Sequence, residues 1–149
     1  MVGKMMNRYG TTLIEVLVVI TIMTILLAIA IPNYNKWHKR YSIENDTKQI
    51  YSLIQKERLK AFTQKISVSI SVNGNILIVS ENGATSYTVL LKNNFSGGPM
   101  DIDTRGTLSG SSIYHYSKQE GLVPQYDCVA IDDVRVKLGE YNGSKCVAK

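Results

Sequence analysis

Two histidines and two cysteines in 149 residues leave little from which to build a catalytic or metal centre. His38 lies in a basic stretch and His115 is flanked by Tyr114 and Tyr116, and neither stands at a metal-ligand or triad-like spacing. The acidic pairs Asp101/Asp103 and Asp132-Asp133 read as solvated strand and turn residues. No catalytic residue, metal or cofactor is expected, and an enzyme is the disfavoured class. Internal repeats and low-complexity tracts are also missing, which excludes a solenoid or an array. The stretch from Ile66 to Lys149 lacks an excess of either charge, with seven basic and eight acidic residues. A dedicated nucleic-acid binder would carry more. The net charge of +5 comes mainly from Lys36–Lys65, where eight basic residues face three acids beside an apolar run, as suits anionic lipid head groups.

Charge is scarcest between Leu13 and Ile31. Over LIEVLVVITIMTILLAIAI only Glu15, Thr21 and Thr24 are polar. About 20 such residues span a bilayer as a helix. An ionised side chain in mid-membrane costs about 2.5–3.5 kcal/mol on insertion scales, so Glu15 calls for a partner or a snorkelling path to the interface. Thr21 and Thr24 are expected to bond back to carbonyls one turn earlier. Met1–Gly10 is short and basic, and three readings fit it: a secretory signal cut after Ala28-Ile29-Ala30, an uncut single-pass anchor, or a leader cut at Gly10. Lys36, Lys39 and Arg40 outnumber Lys4 and Arg8, so positive charge alone does not orient the span.

Beyond Pro32, which is expected to kink the helix, Ile43, Thr47, Ile50, Ile54 and Ala61 with Phe62 recur at helical spacing, predicting an amphipathic segment with one face for a sheet. If Thr12–Phe62 forms one helix it measures about 75 Å. The remainder reads as β. Ile66–Val72 alternates strictly, Asn73-Gly74 and Asn82-Gly83 are favoured hairpin turns, and strands are expected at 76–80, 85–91, 100–103, 112–116, 127–131 and 134–138. Asn93–Pro99 (NNFSGGP) has loop composition. The fold class is therefore α+β: a long N-terminal helix, membrane-spanning in its first half and packed on the head in its second, with an antiparallel sheet. Cys128 and Cys146 would pair in an exported head, a closure worth about 3 kcal/mol, and would remain two free thiols in a reducing compartment. Asn45-Asp46-Thr47, Asn94-Phe95-Ser96 and Asn142-Gly143-Ser144 match the glycosylation acceptor pattern, a match that carries little information alone.

Gly10 followed by TTLIEVLVVITIMTILLAIAIPNY resembles the N-terminus of type IV pilins and of the pseudopilins of type II secretion. In that family a prepilin peptidase cuts after the glycine that Gly10 matches, and the new N-terminus, here Thr11, is methylated. Glu15 matches the acid five residues into the mature chain, and Pro32 the helix-kinking proline. Thr11 departs from the usual Phe. The resemblance implies a leader at 1–10, an assembly helix at 11–32, an amphipathic helix at 33–65 and a head at 66–149. A second stretch, MDIDTRGTL at 100–108 with CVAI at 128–131 and VRVKLG at 134–139, looks like the GspH/FimT-type minor pilins. The implied function is a structural subunit, seated in the inner membrane with its head outside the cytoplasm and then in a periplasmic or extracellular filament. Its partners would be other pilin or pseudopilin subunits, the prepilin peptidase, the inner-membrane assembly platform and lipid. The alternatives are a pilus-tip module in which Arg135, Lys137, Lys145 and Lys149 contact DNA or a surface ligand, and a head behind an ordinary signal.

Overall fold

The computed structural model describes residues 12–149, and the chain divides into two compact units at Trp37/His38. One helix, α1 (Leu13–Gln64), contributes to both. Within the second unit α1 buries Ile43, Thr47, Ile50, Ile54 and Ala61, the stripe the sequence predicts. It also buries Asp46 and Glu57, which the sequence reading did not place there. Phe62 is instead 53% exposed, because it stands one position, about 100°, round the helix from Ala61.

Opposite the helix lies an antiparallel sheet of β1 (Val68–Glu81), β2 (Ala84–Gly97), β3 (Met100–Ile102), β4 (Leu108–Gly110), β5 (Ile113–Tyr114), β6 (Cys128–Asp132), β7 (Arg135–Tyr141) and β8 (Cys146–Ala148). The order is β4-β3-β1-β2-β5-β6-β7-β8. β1 cannot be a straight ribbon. Asn82 N donates to Ser67 O at 2.9 Å and Ser67 N donates to Asn82 Oδ1 at 3.1 Å, whereas a straight strand would part these residues by about 50 Å. The chain therefore reverses at Asn73-Gly74, with Gly74 at φ 63°, as the Asn-Gly signal predicts. The second reversal places Asn82 and Gly83 at φ 49° and 84°, the two left-handed residues of a type I′ turn.

β2 runs further than its composition suggests. Asn93–Gly97 is strand rather than loop, because Phe95 enters the core and Ser96 and Gly97 pair with Tyr114 and Ile113 of β5. Asp46 fastens the same segment to the helix. Its Oδ2 accepts from Lys92 N at 3.0 Å, Asn93 N at 2.8 Å and Asn93 Nδ2 at 2.8 Å, and Asn93 Nδ2 also donates to Ser42 Oγ at 2.9 Å. Further along α1, Tyr87 Oη donates to Glu57 Oε1 at 2.6 Å and Arg58 Nε to Gly106 O at 2.7 Å.

The last strand closes the head. Cys128 and Cys146 form a disulfide between β6 and β8, which flank β7, with Cα atoms 5.9 Å apart. Two strand spacings in a flat sheet would give about 9.5 Å, so β8 folds over β7. The fold occurs at Gly139, which pairs with Cys128 on one side and Ala148 on the other. A Cβ at Gly139 would run into Val147 O and stand 3.0 Å from Cys146 Sγ.

Asp46→Ala removes the acceptor of Lys92 N and Asn93 N and one of the two acceptors of Asn93 Nδ2, and should lower unfolding stability by about 3 kcal/mol at unchanged denaturant slope, as read in urea titrations. Gly139→Ala should leave a large fraction of Cys128 and Cys146 open to alkylation where the wild-type chain shows none, as measured by mass after labelling.

Candidate assembly site

The N-terminal helix exposes the whole of its apolar run. Every large apolar side chain from Leu13 to Ile31 is at least 48% accessible, and the helix is long and apolar enough to cross a membrane. A continuous exposed apolar surface of this length is the kind that marks a membrane or protein contact. Its two threonines are satisfied within the helix: Thr21 Oγ1 donates to Leu17 O at 2.7 Å and Thr24 Oγ1 to Thr21 O at 2.8 Å, the back-bonding expected of them. Tyr34 and Trp37 follow the run, their rings 6.2 Å apart.

Thr12 caps this helix. Its Oγ1 accepts from Glu15 N at 3.3 Å, and its carbonyl accepts from Glu15 N at 3.1 Å and Val16 N at 3.2 Å. Thr12-Leu13-Ile14-Glu15 has the spacing of a capping box, a local signal that could have located this helix start from sequence. Glu15 thus sits in the first turn, where the helix dipole favours a carboxylate. Pro32 lies inside α1. Gly10 and Thr11 lie outside the described residues.

In the head the four cations do not act alike. Arg135 and Lys137 are exposed and alternate onto one face of β7. Lys149 is drawn off by Glu140 Oε2 at 2.7 Å, and Lys118 holds the other oxygen at 3.2 Å, which together keep the Glu140 carboxyl below its usual range. Lys145 lines an open cavity of about 500 Å³ with Tyr114, Tyr141, Ser112 and Ser144. Tyr114 and Tyr141 stack at 4.0 Å, and Tyr116 meets both edge-on. Among the described residues no group of three or more His, Cys, Asp or Glu is placed to hold a metal ion.

Behind the tyrosines a buried polar knot holds the last strands. Asp127 Oδ1 accepts from Tyr141 N at 2.6 Å, Asp127 O accepts from His115 N at 2.8 Å, and His115 Nδ1 meets Ser117 Oγ at 3.0 Å. Burial lowers the His115 pKa, with Glu120 opposing. Burial raises that of Asp127 against the pull of the Tyr141 N–H. Asp46 was also missed from sequence, although it stands three residues after Ile43 and four before Ile50, on the buried stripe itself.

Residues 5–31 match the prokaryotic N-terminal methylation motif. The match takes in Gly10, Thr11 and Glu15 and stops one residue short of Pro32. The chain therefore carries the N-terminal segment of type IV pilin-like proteins, and its layout of one long apolar helix followed by an antiparallel sheet is pilin-like. The apolar helix and the motif together fit a single-pass inner-membrane anchor. Comparison with curated proteins and with solved structures returned no match.

The signs of the two buried groups differ. His115 is favoured neutral by the fold, so its contribution is present above its ordinary value of 6.5 and is lost as pH falls through its lowered folded pKa. Asp127 is also favoured neutral, so its burial costs stability at high pH, and that cost is relieved as pH falls through its raised folded pKa towards 3.8. The thermal midpoint of the full chain in detergent should therefore drop between about pH 7.5 and about pH 5.5. His115→Asn should flatten that slope, as followed by circular dichroism.

Proposed function

We propose that the chain is a structural pilin-like subunit. A prepilin peptidase cuts after Gly10, the mature chain starting at Thr11 is methylated and held in the inner membrane by its apolar helix, and the head stands outside the cytoplasm. From there the subunit enters a type IV pilus or a type II secretion pseudopilus through helix–helix packing, as a minor subunit of the GspH/FimT type. The observation that carries this reading is the methylation motif at residues 5–31, whose stretch from Leu13 to Ile31 lies on a helix with every large apolar side chain exposed.

The mechanism follows from charge in a dry environment. Cleavage creates an ammonium group on Thr11, and the Glu15 carboxylate of a neighbouring subunit pairs with it as the helices slide together. Leaving either charge unpaired among apolar side chains costs several kcal/mol, so one stagger between helices is selected. Partners on this reading are other pilin or pseudopilin subunits, the assembly platform and lipid. A second reading, a tip module that captures DNA or a surface ligand, draws on Arg135 and Lys137, which are exposed on one strand face, and on Lys145 beside the tyrosine cavity. It stands second because Glu140 neutralises Lys149 and because Asp132 pairs across from Arg135 in the sheet.

Glu15→Ala should be cleaved and inserted as the wild type yet reach sheared filaments at less than about a tenth of the wild-type level, since losing about 1.4 kcal/mol is already tenfold. Immunoblots of filament and membrane fractions measure this. Incorporation at the wild-type level would sink the pairing account.

A further inference from the structure

Three segments carry the N-x-Ser/Thr acceptor pattern, and the fold separates them. Asn45 is on α1, where Asp46 and Thr47 are buried and the Thr47 hydroxyl is committed to Ile43 O at 2.8 Å. Asn94 is within β2, its neighbour Phe95 in the core and Ser96 paired with Tyr114 of β5. Neither stretch can leave its element to enter an enzyme's active site without unfolding the head.

Asn142 differs on each count. It stands in the turn between β7 and β8, where residues 142–145 are all exposed. Its Oδ1 accepts from Ser144 N at 3.0 Å, Ser144 Oγ at 3.0 Å and Lys145 N at 2.9 Å. The carboxamide oxygen is thereby committed to the turn, and the nitrogen of this exposed side chain makes no hydrogen bond to any described residue. A hydroxyl donating to an amide oxygen draws electron density toward it and makes the N–H protons easier to remove. The turn is also carried on a fixed base, since Glu140 is bridged by Lys118 and Lys149, Tyr141 Oη donates to Gly143 O at 3.1 Å, and Cys146 is bonded to Cys128.

We infer that Asn142 is a site of N-linked glycosylation, taking a sugar from a lipid-pyrophosphate donor on the outer side of the membrane. In the transfer a bond forms between Asn142 Nδ2 and the anomeric carbon of the sugar. The bond from that carbon to the pyrophosphate oxygen breaks, the lipid pyrophosphate leaves with the electron pair, and the amide proton passes to a base of the transferase. The inference rests on the proposed placement of the head outside the cytoplasm.

The test is the intact mass and the peptide map of the full chain purified from the membranes of the cells that produce it. The wild-type chain should exceed its polypeptide mass by whole sugar units borne on the peptide that contains Asn142. Ser144→Ala keeps the two backbone bonds to Asn142 Oδ1, so it should return to the bare mass with its disulfide closed. An unmodified wild-type chain that starts at Thr11 with the disulfide closed overturns the glycosylation and leaves the placement standing, as does sugar found on Asn94 alone. A chain that starts at Met1 with both thiols free overturns the placement, and the glycosylation with it.

Discussion

Asp46 has one carboxylate oxygen receiving three N–H groups, two from the backbone of β2 and one from the Asn93 side chain, in a site 1% exposed. A helix packed on a sheet through apolar contacts alone could slide by a turn at modest cost, because Ile43, Ile50 and Ile54 would find similar hollows one turn away. A buried carboxylate bonded to three N–H groups resists such a slide, since leaving those groups and the carboxylate unpaired costs several kcal/mol. The register it sets brings Glu57 to Tyr87 and Arg58 to Gly106, so the later contacts between helix and sheet are made on terms fixed at Asp46.

The sheet then has to be closed without a second helix. Its β8 edge is folded back instead of covered: Gly139 omits the side chain that would block the fold, the Cys128–Cys146 bond holds it, and the Asp127–Tyr141 contact anchors the strand between. A small head with one helical wall gains from such a staple more than a larger core would. The consequence is an exposed turn at 142–145, joined to the disulfide-bonded strand β8.

What was legible in the sequence follows from the range of each interaction. The apolar run, the heptad-like stripe from Ile43 to Ala61 and the two Asn-Gly reversals are local patterns, and each appears where the spacing puts it. Even the Cys128–Cys146 bond was foreseen, given export. Asn93–Gly97 was not, because a string of Asn, Ser and Gly has loop composition and becomes strand only when Asp46, 47 residues upstream, and β5 supply partners for its backbone. Asp127 was hidden for the same reason, its burial depending on strands that the chain reaches later. Thr12 and Asp46 are different: the capping-box spacing and the position on the stripe are both local signals, masked by the neighbouring Glu15 and isoleucines that dominate their segments.

Glu15 occupies a position that serves two needs at different times. In an isolated subunit a carboxylate in the first turn is stabilised by the exposed N–H groups of the helix end, by about 0.3–1 kcal/mol in water and more in a drier setting. Thr12 already supplies one acceptor to those groups, so the cap does not depend on Glu15 alone. A carboxylate held near a helix end by a weak dipole interaction, with the hydroxyl cap left in place, can turn toward a neighbour's ammonium group at little cost to its own helix. An acid placed mid-helix would have no such resting state, and its desolvation would fall on the subunit before any partner arrived. The proposed assembly role therefore fits the position of Glu15 within the first turn as well as its distance from Gly10.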